Sequence, residues 1–272
     1  MRSLDIFGRA DLMMQSLSRF WVLRVLQLEN CSGLDNNRLK DICKLYLLKF
    51  LRLQGLKVFD LPESIGKLES LETLDIRGAD HDELVIMLPL SFGKLGKLVR
   101  LHADRVELPD GVSLENMKSL QELTGICATL HAVTEIGKLG ELKVLKLVIH
   151  KETKSSTVNP NELVRMCLQM CPSSLQVLVL RTLSSPLSCT LDFMAQVPSI
   201  LQTFMSNIYF SAFPRWIIDL SLSCLTVLSI MLWHVRVQQK HLDKLAELPS
   251  LRFLRIQALL IYSDRAGKAH YS

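Results

Sequence analysis

Residues 61–76 read LPESIGKLESLETLDI, and this stretch shows most clearly how the chain folds. Leu68, Leu71, Leu74 and Ile76 follow one another at intervals of three, three and two residues. The closing Leu-x-Ile has a period of two, which in a strand places both apolar side chains on one face. A proline near the start fixes φ and suits the beginning of a short turn. We therefore predict a compact turn that leads into a short strand.

The same apolar pattern recurs along the chain. Successive copies are 22 to 33 residues apart, and a period of about 20–29 residues with this leucine pattern is typical of leucine-rich repeats. The central residues of the ten copies, called anchors below, are Leu26, Leu51, Leu74, Leu101, Leu123, Leu145, Leu178, Phe204, Leu228 and Leu254. We predict an α/β leucine-rich-repeat solenoid: a curved horseshoe with a parallel concave β-sheet and with short helices and 3₁₀ turns on the convex side.

One repeat domain is predicted to fill residues 1–262, with a degenerate extra strand near residue 4. Residues 151–160 are polar and interrupt the repeat spacing, so we expect an outward loop there. Residues 263–272 lack the pattern and are expected to be a polar tail. Neither end shows the polar capping module that a solenoid needs, which points to a fragment of a larger protein.

Two turn segments share the form Leu-Pro-x-Ser-apolar-Gly-Lys-Leu, at residues 61–68 and 88–95. Proline is expected to begin a short helical or 3₁₀ turn in each. The glycines, Gly66 and Gly93, are expected to adopt a left-handed conformation where the turn ends.

Composition argues against several classes of protein. The 272 residues carry a formal charge of +5 without a long basic run, so nucleic-acid binding is not predicted. Seven cysteines at irregular spacing, and no apolar leader among the first residues, predict free thiols in a reducing, cytoplasmic setting. The longest uncharged stretch, residues 220–235, has 16 residues and is short for a membrane-spanning helix, so membrane insertion is not predicted.

No set of residues has the spacing of a catalytic, cofactor or metal site. Residues 81–83, His-Asp-Glu, lack a second histidine at ligand spacing and are predicted to lie in a solvated loop. Cys167 and Cys171 share a helical face without partner ligands and are predicted to be buried thiols. Cys31 occupies the repeat position where Asn or Cys bonds the turn backbone, so we expect a structural role for it.

Strand residues that alternate with the buried leucines should face solvent. In the second to fourth repeats they are charged and alternate in sign, so lateral ion pairs are expected; in the sixth to ninth repeats they are mainly apolar. The charged members are Arg52, Asp75, Arg77, Arg100, His102 and Asp104. The apolar members are Val144, Val148, Val177, Val179, Met205, Val227 and Met231.

We predict that these residues form a protein-binding concave face, in which the charged half orients a partner and the apolar half supplies burial. An alternative stays open, because β-branched residues suit strands whether or not they bind anything. The apolar half could equally be covered by another part of a larger protein.

Three segments resemble the repeats of plant intracellular immune receptors: LSRFWVLRVLQLENC at residues 17–31, KDICKLYLLKFLRL at residues 40–53, and residues 61–76. The similarity is to the coiled-coil, nucleotide-binding, leucine-rich-repeat disease resistance proteins of grasses. Such receptors carry the phosphate-binding motif Gly-x-x-x-x-Gly-Lys-Ser/Thr, which this sequence lacks. No nucleotide-binding domain or cofactor is therefore expected within the chain.

The resemblance implies a non-enzymatic module that recognises a pathogen effector or a modified host protein and restrains the receptor switch. Its expected partners are an effector, a host protein, or a nucleotide-binding domain outside this sequence. A free-standing cytosolic leucine-rich-repeat scaffold or adaptor in signalling is the alternative interpretation.

Overall fold

The computed structural model describes residues 2–9, 17–32, 36–55, 60–78, 85–149, 159–183, 188–189, 197–219, 222–259, 261–263 and 269–271. Residues 81–83 and most of the predicted loop at 151–160 lie outside these ranges. Within them, no helix is both long enough and apolar enough to cross a membrane.

Short strands dominate the described chain. The strands are β1 (Ser3–Arg9), β2 (Val25–Ser32), β3 (Phe50–Gln54), β4 (Thr73–Ile76), β5 (Ile86–Met87), β6 (Arg100–Glu107), β7 (Glu122–Cys127), β8 (Val144–Ile149), β9 (Val177–Thr182), β10 (Ser188–Cys189), β11 (Thr203–Phe210), β12 (Val227–Trp233), β13 (Phe253–Leu259), β14 (Ile261–Ser263) and β15 (Ala269–Tyr271). The helices are α1 (Asn36–Ile42), α2 (Leu130–Ile136), α3 (Pro160–Gln169), α4 (Arg215–Asp219) and α5 (Gln239–Ala246). Single 3₁₀ turns span Leu17–Arg19, Glu63–Lys67 and Leu90–Lys94.

The chain divides into two compact units. The first comprises Met1–Cys127 with Thr134–Val144, and the second comprises Ala128–Val133 with Leu145–Ser272. In the first unit, β1, β2, β3, β4, β6 and β7 lie side by side in that order, and their pairings are parallel. In the second unit, β9, β11, β12 and β13 do the same.

The register of these strands confirms the predicted repeats. In the two rows that follow, each anchor is paired directly with the anchor of the neighbouring repeat. In the first unit the paired row is Leu4, Leu26, Leu51, Leu74, Leu101 and Leu123, and in the second unit it is Leu178, Phe204, Leu228 and Leu254. The predicted strand near residue 4 is therefore a true member of the sheet, and Phe204 takes the place of a leucine without a change of register.

Side chains alternate along these strands as a period of two requires. In β3 and β12, every second residue is buried and the residues between them are half-buried. The anchors are almost fully buried, with the exception of Leu254, which is 41% exposed. The apolar core of each unit is therefore built mainly from rows of leucine that run from strand to strand.

Proline begins two 3₁₀ turns, as predicted. Pro62 and Pro89 have extended backbone conformations and immediately precede the turns Glu63–Lys67 and Leu90–Lys94. The prediction for the glycines was wrong, because Gly66 and Gly93 lie inside these turns and do not have the positive φ of a left-handed residue.

Close packing between repeats explains both glycines. A Cβ on Gly66 would lie 2.7 Å from the Ser91 carbonyl oxygen, and one on Gly93 would lie 2.3 Å from the Ser113 carbonyl oxygen. Each turn therefore rests against the backbone of the next repeat, and only a residue without a side chain fits there.

A carboxylate of one repeat caps the turn of the next. Glu63 accepts hydrogen bonds from the backbone N–H groups of Leu90 and Ser91, at 2.9 and 3.0 Å, and Ser91 Oγ donates to the Glu63 carbonyl. Burial would raise the pKa of Glu63, but these hydrogen bonds outweigh it and hold the pKa below its ordinary value. The repeated Leu-Pro-x-Ser segment is thus a contact between repeats.

Helix α3 begins at Pro160, the last residue of the polar stretch seen in the sequence. Asn159 caps it by accepting a hydrogen bond from the Asn161 N–H at 2.9 Å, and Pro160 is its first residue. Part of the predicted tail at residues 263–272 is strand β15. It pairs with β14 in an antiparallel two-stranded ribbon that is separate from the parallel sheet.

Candidate protein-binding surface

The outward side chains of the first unit's strands form a charged surface, which we call the first strand face. It comprises Gln27, Glu29, Arg52, Gln54, Asp75, Arg77, Arg100, His102, Asp104 and Glu122. All six charged residues singled out from the sequence are among them.

Ion pairs run laterally across this face, as the alternating charges predicted. Arg52 reaches Glu29 on one side at 3.3 Å and Asp75 on the other at 3.2 Å. Arg77 adds a forked contact to Asp75, with Nε and Nη2 at 2.9 and 2.7 Å from the two carboxylate oxygens. Asp75 is only 3% exposed, so two guanidinium groups almost enclose it.

The remaining charges of the first strand face also have internal partners. Glu122 is bonded by Arg100 at 3.1 Å and by His102 at 2.8 Å. Asp104 accepts a hydrogen bond from the Gly78 backbone N–H. The face is therefore largely satisfied by its own residues. That these charges orient a partner stays a prediction.

The environment of Asp75 makes the first unit's stability depend on pH. Burial would raise the pKa of Asp75, but hydrogen bonds from Arg77 and the charges of Arg77 and Arg52 outweigh it, so the pKa lies below its ordinary value. A carboxylate with a depressed pKa contributes its stabilisation above its ordinary pKa, and this contribution is lost as the pH falls through the folded-state pKa.

Replacing Asp75 with Asn is expected to lower the free energy of unfolding by about 2 kcal/mol at neutral pH, because charge-assisted hydrogen bonds are lost. The deficit should shrink as the pH falls, since the wild-type carboxylate then becomes protonated. Urea unfolding at a series of pH values measures this difference. As a control, Asp41→Asn removes an exposed pair with Lys44 and should cost at most about 0.5 kcal/mol. A loss of stability that is equal at every pH would contradict the lowered pKa of Asp75.

The outward side chains of β9, β11, β12 and β13 form a different surface, which we call the second strand face. It comprises Val177, Val179, Arg181, Thr203, Met205, Asn207, Tyr209, Val227, Ser229, Met231, Trp233, Phe253, Arg255, Gln257 and Leu259. Five of the predicted apolar residues lie here, namely Val177, Val179, Met205, Val227 and Met231. Most of this face is half-buried, and Met205 is 40% exposed.

A pocket of about 200 Å³ opens on the second strand face. Val179, Met205 and Met231 line it, and Ser229 stands between longer side chains of the neighbouring strands. Because Ser229 pairs with Met205 on one side and Arg255 on the other, its short side chain accounts for the hollow at this point.

An irregularity in β11 shapes the same region. Met205 pairs with Ser229, but Tyr209 pairs with Met231, so β11 has two more residues than β12 over this interval. Asn207 lies in the extra stretch and binds Thr182 twice, accepting from its N–H at 2.7 Å and donating to its carbonyl at 2.9 Å. The side-chain amide of Asn207 thus bonds the β9 backbone at Thr182, just beyond the last backbone pairing of β9 with β11.

Two predicted residues do not belong to this surface. Val144 is half-buried and lies in the first unit. Val148 is only 4% exposed, so the expectation that it faces solvent was wrong. Alternation fails at the end of β8, where Leu147 and Ile149 are buried too and the Val148 carbonyl accepts a hydrogen bond from Ala128.

A model described as "Leucine-rich repeat region" matches residues 1–270. The chain belongs to this family of leucine-rich-repeat proteins. The match spans both units.

Relatives of this leucine-rich-repeat chain include disease resistance proteins of rice (Oryza sativa subsp. japonica). It is 36% identical over 154 residues to Disease resistance protein RGA4, a match that covers 53% of the chain and 15% of the relative. It is 27% identical over 275 residues to Disease resistance protein RGA5, which covers 94% of the chain and 23% of the relative. The predicted resemblance to grass disease resistance proteins is confirmed, and the chain spans less than a quarter of either relative.

Solved structures with the same fold include a leucine-rich-repeat protein of Leptospira interrogans, with a TM-score of 0.61 and 20% identity. That match covers 96% of this chain and 62% of the other. The Arabidopsis receptor kinase HAESA, solved in complex with the peptide hormone IDA and the co-receptor SERK1, matches with a TM-score of 0.55 and 18% identity over 94% of this chain and 41% of that one. At such identities the likeness shows the fold alone, and the predicted leucine-rich-repeat fold is confirmed.

Four thiols of the leucine-rich-repeat chain, those of Cys31, Cys127, Cys167 and Cys171, have buried or half-buried surroundings. Cys31 Sγ donates to the Ile6 carbonyl of the neighbouring repeat at 3.4 Å, as predicted for its position. Burial raises the pKa of Cys127 to about 11 and that of Cys171 to about 12, and it also raises the pKa of Cys167. Thiols with raised pKa values are poor nucleophiles. Among the described residues, no three His, Cys, Asp or Glu side chains are grouped so as to hold a metal ion.

Sequence reasoning missed an aromatic pair at the edge of the second strand face. Tyr209 and Trp233 meet edge to face, with ring centroids 5.4 Å apart. Their alternation with the buried Phe210 and Leu232 was visible in the sequence. The outward positions considered from the sequence, however, end three residues after each anchor, and these strands continue further.

Proposed function

We propose that this leucine-rich-repeat chain is a non-enzymatic protein-interaction module of a plant immune receptor. In this role it recognises a pathogen effector or a modified host protein in the cytoplasm and restrains the receptor switch. The observation that carries the proposal is the second strand face, which presents apolar side chains around an open pocket. The rice relatives support the assignment to immunity.

The size and chemistry of the pocket favour a protein partner over a small molecule. Pockets for small ligands usually enclose about 300–1,000 Å³, and this one has about 200 Å³. That volume suits a single anchoring side chain of a partner, with the surrounding apolar residues excluding water. Met205 and Met231 can adjust to such an anchor because their side chains are flexible and polarisable.

The two strand faces differ in what a partner could gain from them. On the first, a partner would have to displace Arg52 and Arg77 from Asp75, a nearly buried carboxylate. On the second, apolar groups are partly open to water and their burial is favourable. The main binding energy is therefore assigned to the second strand face.

The double variant Val177→Asp, Val179→Asp tests this proposal. The full chain is co-expressed with rice Disease resistance protein RGA4 from which the repeat region has been deleted, and recovery of the complex is measured. Wild-type chain should be recovered with this partner. The variant should bind at least about ten-fold more weakly, because two carboxylates are placed in an apolar contact.

A matched control comes from the second unit itself. Val235 and Val237 are half-buried valines two residues apart that follow β12 and lie off the second strand face. Val235→Asp, Val237→Asp should retain binding, and circular dichroism should show that both variants are folded. Equal binding by both double variants, or no complex with the wild-type chain, would refute the proposed role.

A further inference from the structure

We propose that the partner segment bound by the second strand face is acidic as well as apolar. It would insert an apolar side chain into the pocket beside Met205 and Met231 and place carboxylates on Arg181 and Arg255. This inference rests on the proposed function and specifies the chemistry of the partner.

The charges of the second strand face are all of one sign. Arg181 and Arg255 are exposed, and both line the pocket. No outward position of β9, β11, β12 or β13 holds an aspartate or a glutamate. Lys146, an exposed residue of β8 in the same unit, adds a third positive charge.

On the first strand face, the arginines are paired with carboxylates of the chain itself. Arg52, Arg77 and Arg100 each contact a carboxylate within 3.3 Å. Across the described residues, neither Arg181 nor Arg255 makes an ion pair or hydrogen bond of this kind. Two guanidinium groups in a pocket that is also lined by Val179, Met205 and Met231 are therefore available to a carboxylate from outside, to which they can donate paired hydrogen bonds.

The sheet geometry sets the spacing of the expected carboxylates. Arg181 is on β9 and Arg255 is on β13, which is the third strand from it in the sheet order. Arg255 is in the same row as Val179, and Arg181 is two residues further along the strand. Because neighbouring strands are about 4.8 Å apart and residues along a strand about 3.3 Å apart, the two positions are about 16 Å apart. That distance corresponds to about five residues of extended chain, so the expected segment has two acidic residues with at least one large apolar residue between them.

The apolar side chains of the pocket favour an acidic protein segment over other polyanions. A nucleic acid would satisfy the arginines but would leave Val179, Met205 and Met231 without an apolar partner. A purely apolar segment would fill the pocket and leave two cations without compensation. An acidic and apolar protein segment satisfies both sets of side chains.

Synthetic peptides of about ten residues, long enough to span the two arginines, test the inference against the full chain. The first has two aspartates about five residues apart with leucines between them, and the second replaces both aspartates by asparagine. A single-stranded oligonucleotide serves as a polyanion without apolar side chains. The acidic peptide should bind at least about ten-fold more tightly than its asparagine counterpart in a fluorescence titration, and this advantage should decline with added salt.

Arg181→Glu, Arg255→Glu should abolish the advantage of the acidic peptide. Arg236→Glu is the matched control, because Arg236 is exposed in the segment after β12 and lies off the face; it should keep at least about half of the advantage. Equal affinity for the two peptides would overturn the inference. So would a loss of the acidic peptide's advantage in Arg236→Glu as large as that in Arg181→Glu, Arg255→Glu, or tighter binding of the oligonucleotide than of the acidic peptide.

The outcomes for this inference and for the proposed function are separable. If Val177→Asp, Val179→Asp weakens the complex with repeat-deleted RGA4 while Arg181→Glu, Arg255→Glu leaves it unchanged, the face binds protein but has no acidic preference. If neither double variant weakens that complex, both proposals fail.

Discussion

Replacing Gly93 with alanine is expected to lower the free energy of unfolding by about 3 kcal/mol. The added Cβ would lie 2.3 Å from the Ser113 carbonyl oxygen. That oxygen belongs to the backbone of the next repeat, so it cannot rotate away as the end of a flexible side chain could. Relief requires a shift of the whole turn Leu90–Lys94, which would loosen the packing of the repeats on both sides.

Urea unfolding followed by circular dichroism measures this effect, and the chain contains a suitable control. A Cβ on Gly140 meets no heavy atom within 4 Å, so Gly140→Ala should change the stability by less than about 0.5 kcal/mol. Gly66→Ala, which faces the Ser91 carbonyl at 2.7 Å, should destabilise in the same direction as Gly93→Ala. Equal effects at Gly93 and Gly140 would show that glycine is not needed for the contact between repeats.

Truncating Phe204 to alanine is expected to cost about 4 kcal/mol, the range for a buried aromatic side chain. Phe204 is fully buried and occupies the anchor position that leucine holds in the other repeats. Its ring meets the ring of Trp216 of α4 edge to face, with centroids 4.9 Å apart. The alanine variant loses the aromatic contact and leaves a cavity beside a second large side chain.

The variant Phe204→Leu separates the anchor role from the aromatic contact. Leucine restores the commoner anchor and keeps most of the apolar volume, so the expected cost is about 1 kcal/mol. Thermal and urea unfolding of both variants give the comparison. If Phe204→Leu were as stable as the wild type, the ring contact with Trp216 would have no part in holding this repeat.

Several features of the chain follow from spacing alone. An anchor leucine with an apolar residue two positions away specifies a strand that buries both, and the recurrence of this motif lets successive strands pair at equivalent positions. The direct pairing of Leu26 with Leu51, and of Leu51 with Leu74, is an example. The lateral ion pairs from Arg52 were predictable for the same reason, since each outward residue is beside its counterpart in the next repeat.

Contacts between repeats were harder to predict, because they depend on how closely two turns approach. The role of Gly66 and Gly93 was assigned to backbone conformation from the sequence, and the structure assigns it to contact with Ser91 and Ser113. The burial of Val148 departs from alternation where β8 ends and the Ala128 backbone bonds to it. A periodic pattern describes each repeat separately and does not contain these distances.

Periodicity therefore specifies the repeat fold, its register and the identity of the outward residues, because a strand places alternate side chains on opposite faces wherever it occurs. Which of those outward residues stay open is a property of the folded molecule. Asp75 is enclosed by two arginines, whereas Ser229 leaves a pocket between Met205 and Arg255. Side-chain length, the extra residues of β11 and the ion pairs between strands set that exposure, and each depends on neighbours that are far apart in the chain.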